Sequence, residues 1–292
     1  MKRPMVSALG PVLCCLSFLS FMASVHAEET DKDLPMQMVN FRMTDASGKT
    51  HELFTHADKK AVVLFSQLNG CPIVRQSFPY LEEIKAKYGP KGVEFLYFNS
   101  NEYDDDEAIV AEAKDYSVTV PIMHDRGATL SHVLQSERSG EIFVVDPKTW
   151  KITYRGMADD RFDYGLQRSL VEKFWLIDSL DALLAGEKAR VRKTIAKGCL
   201  LPLELPDEAR YVDQVVPVLD ARLPNCGGAA SWGDVPEMEA RKKKAVFIDA
   251  MLTQRVPKDA ACGEAGKEAP FTVGELLVLL KWLGFSGGPV AE

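Results

Sequence analysis

The chain has 292 residues, 46% of them hydrophobic, and a formal net charge of −7. That is enough apolar material for one sizeable core and a smaller one. The acidic balance argues against nucleic acid and anionic lipid as partners.

Lys2 and Arg3 precede an apolar stretch, Ala8 to Val25, and Val25-His26-Ala27 puts small or apolar residues where a signal peptidase cuts. The pattern predicts a signal peptide over residues 1–27 and an exported chain, periplasmic or secreted. An uncleaved anchor is the alternative, but the apolar core is short and Glu28 and Glu29 follow at once. Leu13 before Cys14 is too large for a usual lipoprotein site. No other segment has the length and apolarity to span a membrane. Four cysteines remain after cleavage: Cys71, Cys199, Cys226 and Cys262. An even count in an exported chain favours disulfides, and four cysteines allow three pairings.

Met36 to Met43 alternates loosely, Asp45-Ala46-Ser47-Gly48-Lys49 is a turn, and His51 to Phe54 reads as a partner strand. Ala61 to Phe65 is a continuous apolar run. A polar loop follows, then Cys71-Pro72, then Ile73, Phe78, Leu81, Ile84 and Tyr88 at helical spacing. The reading is a buried strand, a loop and a helix entered at Cys71, with Pro72 at the first helical position. A helix N-terminus carries unpaired N–H groups and the positive end of the dipole, which stabilise a thiolate. A thiolate is the species that attacks a disulfide or a peroxide. The competing reading is a buried, inert cysteine.

Val93 to Asn99 reads as a central strand. A helix follows from Glu107 to Tyr116, with Asp104-Asp105-Asp106 at its start favouring the dipole rather than a cation. Val118 to Met123 is a short strand and Ala128 to Leu134 a helix. Glu141–Asp146 and Lys151–Arg155 form a strand pair, and Val171 to Ala185 is a helix. Glu187 to Lys197 reads as an exposed basic linker, and Leu201 to Pro206 as an inter-domain connection.

The strand–Asn69-Gly70-Cys71-Pro72-Ile73-Val74–helix unit resembles the redoxin branch of the thioredoxin superfamily, near the alkyl hydroperoxide reductase and thiol-specific antioxidant proteins. Val93 to Asn101, Phe143 to Asp146 and Tyr154 to Arg161 fit that branch too. The resemblance covers roughly Leu34 to Leu200. It implies an α/β, thioredoxin-like mixed sheet with flanking helices over residues 28–200, with Cys71 at the C-terminal edge of its strand. Members often carry a Gly-Cys where Gly198-Cys199 stands.

Three features depart from the family pattern. Val74 replaces the second cysteine of Cys-x-x-Cys. Leu68 and Leu64 stand where peroxidases of this fold place Thr and Pro. Ser139-Gly140 stands where a cis-proline usually faces the cysteine, so Gly140 is expected to lose the fixed geometry that exposes main-chain groups to a bound peptide. Arg75 and Arg138 are candidates for favouring a thiolate, with ordinary surface charge as the competing reading. His124 and His132 read as solvated or core residues rather than metal ligands.

Residues 201–292 change character. Helical patterns occur at Tyr211–Leu223, Val235–Thr253 and Thr272–Gly284. The region resembles a small cytochrome c, to which redoxins of this branch are often fused. The haem motif is degenerate: Cys226 has no second cysteine and no histidine after it, and Arg255-Val256-Pro257 stands where an axial methionine usually lies. No haem, metal or other cofactor is expected.

Three functions remain open. One is an exported thiol–disulfide oxidoreductase acting on a protein thiol or disulfide, with Cys71 attacking and Cys199 resolving. The second is a non-catalytic binding or assembly module stapled by structural disulfides. The third, weakened by Leu68 and Leu64, is a thiol peroxidase. The two-domain division favours Cys226 with Cys262, as a staple for a small helical domain, and Cys71 with Cys199.

Overall fold

β-strand β3 (Ala61–Gln67) is the central strand of the main sheet, and all seven of its residues are buried. The computed structural model describes residues 36–163, 166–224, 226, 229, 231–257 and 266–285. The expected signal peptide and Cys262 lie outside them. β1 (Arg42–Thr44) and β2 (Thr50–Glu52) form a small antiparallel hairpin. The main sheet has the order β5-β4-β3-β6-β7, with β4 Val93–Asn99, β5 Ile122–His124, β6 Ile142–Asp146 and β7 Lys151–Gly156. β3, β4 and β5 are parallel, while β6 and β7 run antiparallel.

The period-2 alternation of strands divides the apolar side chains between two faces. Val63, Phe65, Phe95, Tyr97, Ile142 and Val144 meet helices α1 (Pro72–Tyr88) and α4 (Trp175–Ala185), and Ile109 of α2 (Asp106–Asp115) joins them. Val62, Leu64, Leu96, Phe98, Phe143 and Val145 meet Met38, Phe41 and helix α3 (Thr129–Leu134). This is the expected thioredoxin-like mixed sheet with helices on both faces.

A helical region follows: a short π-helix (Tyr211–Val215) running into α5 (Val216–Arg222), then α6 (Glu237–Arg241), α7 (Lys244–Thr253) and α8 (Val273–Trp282). It has its own apolar cluster around Trp232, Phe247 and Trp282. It also rests on the sheet portion. Leu252 enters the second face of the sheet core. Glu268 and Glu52 pair with Arg42 and Arg255 at 3.0 and 3.2 Å.

Several local expectations are corrected. The helix expected from Val171 begins only at Trp175, because the Asp160 carboxylate accepts the amides of Glu172 and Lys173 at 3.0 and 3.1 Å and draws them out of the helical path. The strand expected from Val118 begins at Ile122, since the Glu82 side chain takes both the amide and hydroxyl of Thr119. The helix expected over Val235–Thr253 breaks at 242–243. The basic linker is not loose: Arg155 N–H donates to Arg192 O and Thr194 N–H to Arg155 O, both at 2.9 Å, so this stretch runs along β7. Leu201 and Leu203, at the start of the expected connection, are buried in the sheet's first core.

Candidate functional site

Cys71 caps α1 with extended backbone (φ −67°, ψ 118°), and Pro72 takes the first helical position. The apolar faces of β3 and α1 fix where the two elements meet, and the loop between them carries the cysteine. That loop is held by acceptors from elsewhere. The Glu112 carboxylate, buried on α2, accepts the Gly70 amide at 2.9 and 3.2 Å and pairs with Arg75 at 2.6 Å. Asp104 accepts the Asn69 amide at 3.1 Å and the Asn99 amide group at 2.8 Å. Arg75 therefore neutralises Glu112 rather than standing free beside the thiol.

The loop before β6 faces Cys71 from the other side. Ser139 Oγ lies 3.3 Å from both Cys71 Sγ and the Cys199 carbonyl oxygen, and its one proton serves one of them at a time. Gly140 has φ +78°, as a residue without Cβ allows. The expected loss of fixed geometry at Gly140 is corrected. Gly140 N–H donates to Ser66 O at 2.7 Å, and Ser66 N–H to Glu141 O at 2.9 Å. Behind it, Glu141 accepts Arg155 Nε and the Ser136 hydroxyl, both at 2.8 Å. Hydrogen bonds replace the proline ring as the constraint.

Residues 198–201 run antiparallel to 137–139. Ser139 N–H donates to Cys199 O and Leu201 N–H to Glu137 O, both at 2.9 Å, and Arg138 Nη1 donates to Gly198 O at 2.9 Å. Gly198 is required there, because a Cβ would fall 1.9 Å from Ser139 O. This strap delivers Cys199 to Cys71. The Cys199 amide donates to Cys71 Sγ at 3.4 Å, and the Cys199 thiol is within hydrogen-bonding reach of the same sulfur. Both are free thiols; Cys71 is 2% exposed and Cys199 partly exposed.

The two thiols differ electrostatically. Burial raises the pKa of Cys71, but donation from the Cys199 thiol, the Ser139 hydroxyl and the Val74 and Cys199 amides outweighs it, and the net shift is downward. Cys199 is pushed up to about 11 by burial and by donating to, and facing, Cys71; the Arg138 charge and a main-chain hydrogen bond of Cys199 itself oppose this. A pair so arranged holds its charge on Cys71.

Cys226 is disulfide-bonded, and Cys262, its expected partner, lies outside the described residues. His132 is buried against Phe285, with its pKa lowered by burial to about 4. Among the described residues no three His, Cys, Asp or Glu side chains group as a metal site, and no helix is long and apolar enough to cross a membrane.

Residues 32–166 match the redoxin family model. The match covers a little under half of the chain. The chain is similar in sequence to the thiol-disulfide oxidoreductase ResA of Bacillus thuringiensis subsp. konkukian, 27% identical over 121 residues, covering 41% of this chain and 67% of that protein. In fold the chain is similar to a hypothetical protein of Sinorhizobium meliloti 1021, with a TM-score of 0.53 and 23% identity, covering 57% of this chain and 92% of that one. An uncharacterized conserved protein of Geobacillus kaustophilus gives 0.52 and 23%, covering 60% and 93%.

The sequence pattern points to Cys71 and Cys199 but carries no sign of the groups around them. In the sequence Ser139 is visible only as a residue beside the missing proline. Glu112 shares the apolar stripe of α2 with Ile109 and Tyr116, and a carboxylate on a buried face was the available signal.

Proposed function

We propose that this chain is an exported thiol–disulfide oxidoreductase whose working pair is Cys71 and Cys199, acting on a protein thiol or disulfide. One observation carries the reading: the Cys199 amide and thiol both donate to Cys71 Sγ across the strap. A structural staple needs no thiolate stabilisation, yet this sulfur is ringed by donors that favour one. Such donors make the dithiol form stable and the disulfide oxidising. The similarity to ResA supports the same chemistry. In this reading residues 1–27 are cleaved, which places the pair in a compartment where disulfides persist. The helical region is a haem-less cytochrome-like domain, since Cys226, held in a disulfide, has no thiol to offer a haem.

The test is a redox titration of the exported protein in glutathione buffers, with the products mapped without reduction. A reversible Cys71–Cys199 disulfide, lost in Cys71→Ser with the fold retained, is the expected result. Two thiols that stay reduced under oxidising buffer, or a Cys71→Ser protein with unchanged exchange rates, would refute the assignment.

The burial of Cys71 favours a second reading, a binding module whose pair only locks the strap. That protein would form the disulfide but would not catalyse exchange in an added dithiol.

A further inference from the structure

The two sulfurs differ in access as well as in charge. Cys71 is 2% exposed and sits under the strap, with Ser139 Oγ at 3.3 Å, the Cys199 amide at 3.4 Å and the Cys199 thiol about its sulfur. Cys199 is partly exposed, on a strap only one strand wide. Thiol–disulfide exchange needs the attacking sulfur in line behind the bond that breaks, so the sulfur that can be approached decides the course.

We infer that the entry sulfur of the oxidised pair is Cys199, and that Cys71, at the helix start, is the leaving group. This rests on the oxidoreductase reading above and reverses the roles that the position of Cys71 suggests in the sequence. A partner thiolate attacks Cys199 Sγ. A partner–Cys199 disulfide forms, the Cys71–Cys199 bond breaks, and its electron pair leaves on Cys71 Sγ. The donors around Cys71 receive that charge without rearranging, the condition for lowering the barrier to departure. A second thiolate of the partner then attacks the partner's own sulfur in the mixed disulfide. Cys199 is released and takes up a proton. The partner has lost two electrons and gained a disulfide, and the pair has become a dithiol. The partner is therefore a dithiol substrate with an accessible cysteine, reached from the strap side.

The experiment uses the full chain, oxidised to the Cys71–Cys199 disulfide and mixed with reduced glutathione. Acid quenching at short times, alkylation of free thiols and peptide mapping follow. Glutathione on Cys199 with the alkyl group on Cys71 is expected; glutathione mainly on Cys71 overturns the inference. A second arm guards against rapid reclosure of the mixed disulfide. Cys71→Ser and Cys199→Ser are each loaded with thionitrobenzoate on the remaining cysteine, and its release by glutathione is followed by colour. Release from Cys199 is expected to be faster by about tenfold or more, since attack must reach the protein sulfur. Equal or faster release from Cys71 overturns the inference while leaving the oxidoreductase reading intact. A chain that forms no Cys71–Cys199 disulfide in glutathione buffer refutes that reading itself, and the inference with it.

Discussion

The amide of Cys199 lies 3.4 Å from the sulfur of Cys71, although 128 positions separate the two residues. A main-chain donor cannot rotate away, so its contribution to the thiolate persists as long as the strap is in place. The Ser139 hydroxyl contributes differently. It is shared between the sulfur and the Cys199 carbonyl, and so couples the charge on Cys71 to the seating of the strap.

Ser139→Ala removes that hydroxyl while leaving the main-chain bonds of the loop in place. The Cys71 pKa should rise by about one unit, about 1.4 kcal/mol of lost thiolate stabilisation. The disulfide should become less oxidising by about 30 mV, because the reduced form is the one destabilised. Thiolate absorbance against pH, together with a glutathione titration, checks both numbers. A pKa and a potential that stay put would mean the hydroxyl proton serves the carbonyl alone.

Gly198→Ala tests the strap. The new Cβ would meet Ser139 O at 1.9 Å, a contact only main-chain separation can relieve. Overpacking of this kind costs about 1–3 kcal/mol. Leu201 and Leu203 should stay anchored in the core, so the damage should be local. Alkylation of Cys71 by iodoacetamide at neutral pH should accelerate, while circular dichroism stays native-like. Unchanged protection of Cys71 would show that something other than the strap covers it.

Glu112→Ala tests the clamp on the cysteine loop. It strands the Gly70 amide and leaves Arg75 without its partner. Gly70 is an exposed residue, so water can take part of the acceptor's place and the loss at that amide should be about 1 kcal/mol. Arg75 is exposed enough to rehydrate as well, so the loss should be modest and confined to the cysteine loop. Glu112→Gln keeps an oxygen for Gly70 and should lose less. Urea unfolding ranks the three proteins, and equal losses in Ala and Gln would assign the effect to charge instead.

What the sequence disclosed and what it hid divide along a physical line. β3 and α1 were legible because their periodicities, one continuous apolar run and one helical stripe, are local. Pro72 marked the helix start to the residue. The strap was not legible. Arg192, Lys193 and Thr194 bear no alternation, and their attachment to Arg155 uses main-chain groups that any side chain would permit. Leu201 and Leu203 were visible as apolar residues, but whether they entered the first core or bridged to a second is a tertiary matter. The same holds for Asp160, whose hold on Glu172 and Lys173 delayed α4 by four residues against a sound helical pattern.

The last prediction concerns acid sensitivity where the helical region meets the sheet portion. His132 is buried against Phe285 with its Nε2 unpartnered, and burial lowers its pKa from 6.5 to about 4. The folded state thus holds the neutral ring, whereas the unfolded chain takes up a proton below 6.5. Stability from this group is fully present above pH 6.5 and is lost as pH falls through 4, by about 3 kcal/mol over the window. Asp125 works in the opposite sense. Burial outweighs the bonds from Leu130, Ser100 and Ser131 and raises it to about 6, so the native state gains as pH falls from 6 toward 3.8. The two partly cancel in the natural chain. His132→Phe removes one side of the balance while keeping a ring against Phe285. Its unfolding free energy should be close to that of the natural chain at pH 7.5. Relative to that chain it should gain steadily between pH 6.5 and 4. Denaturant melts at half-unit pH steps measure the gap directly, and parallel curves for the two proteins would show that His132 does not titrate as its burial requires.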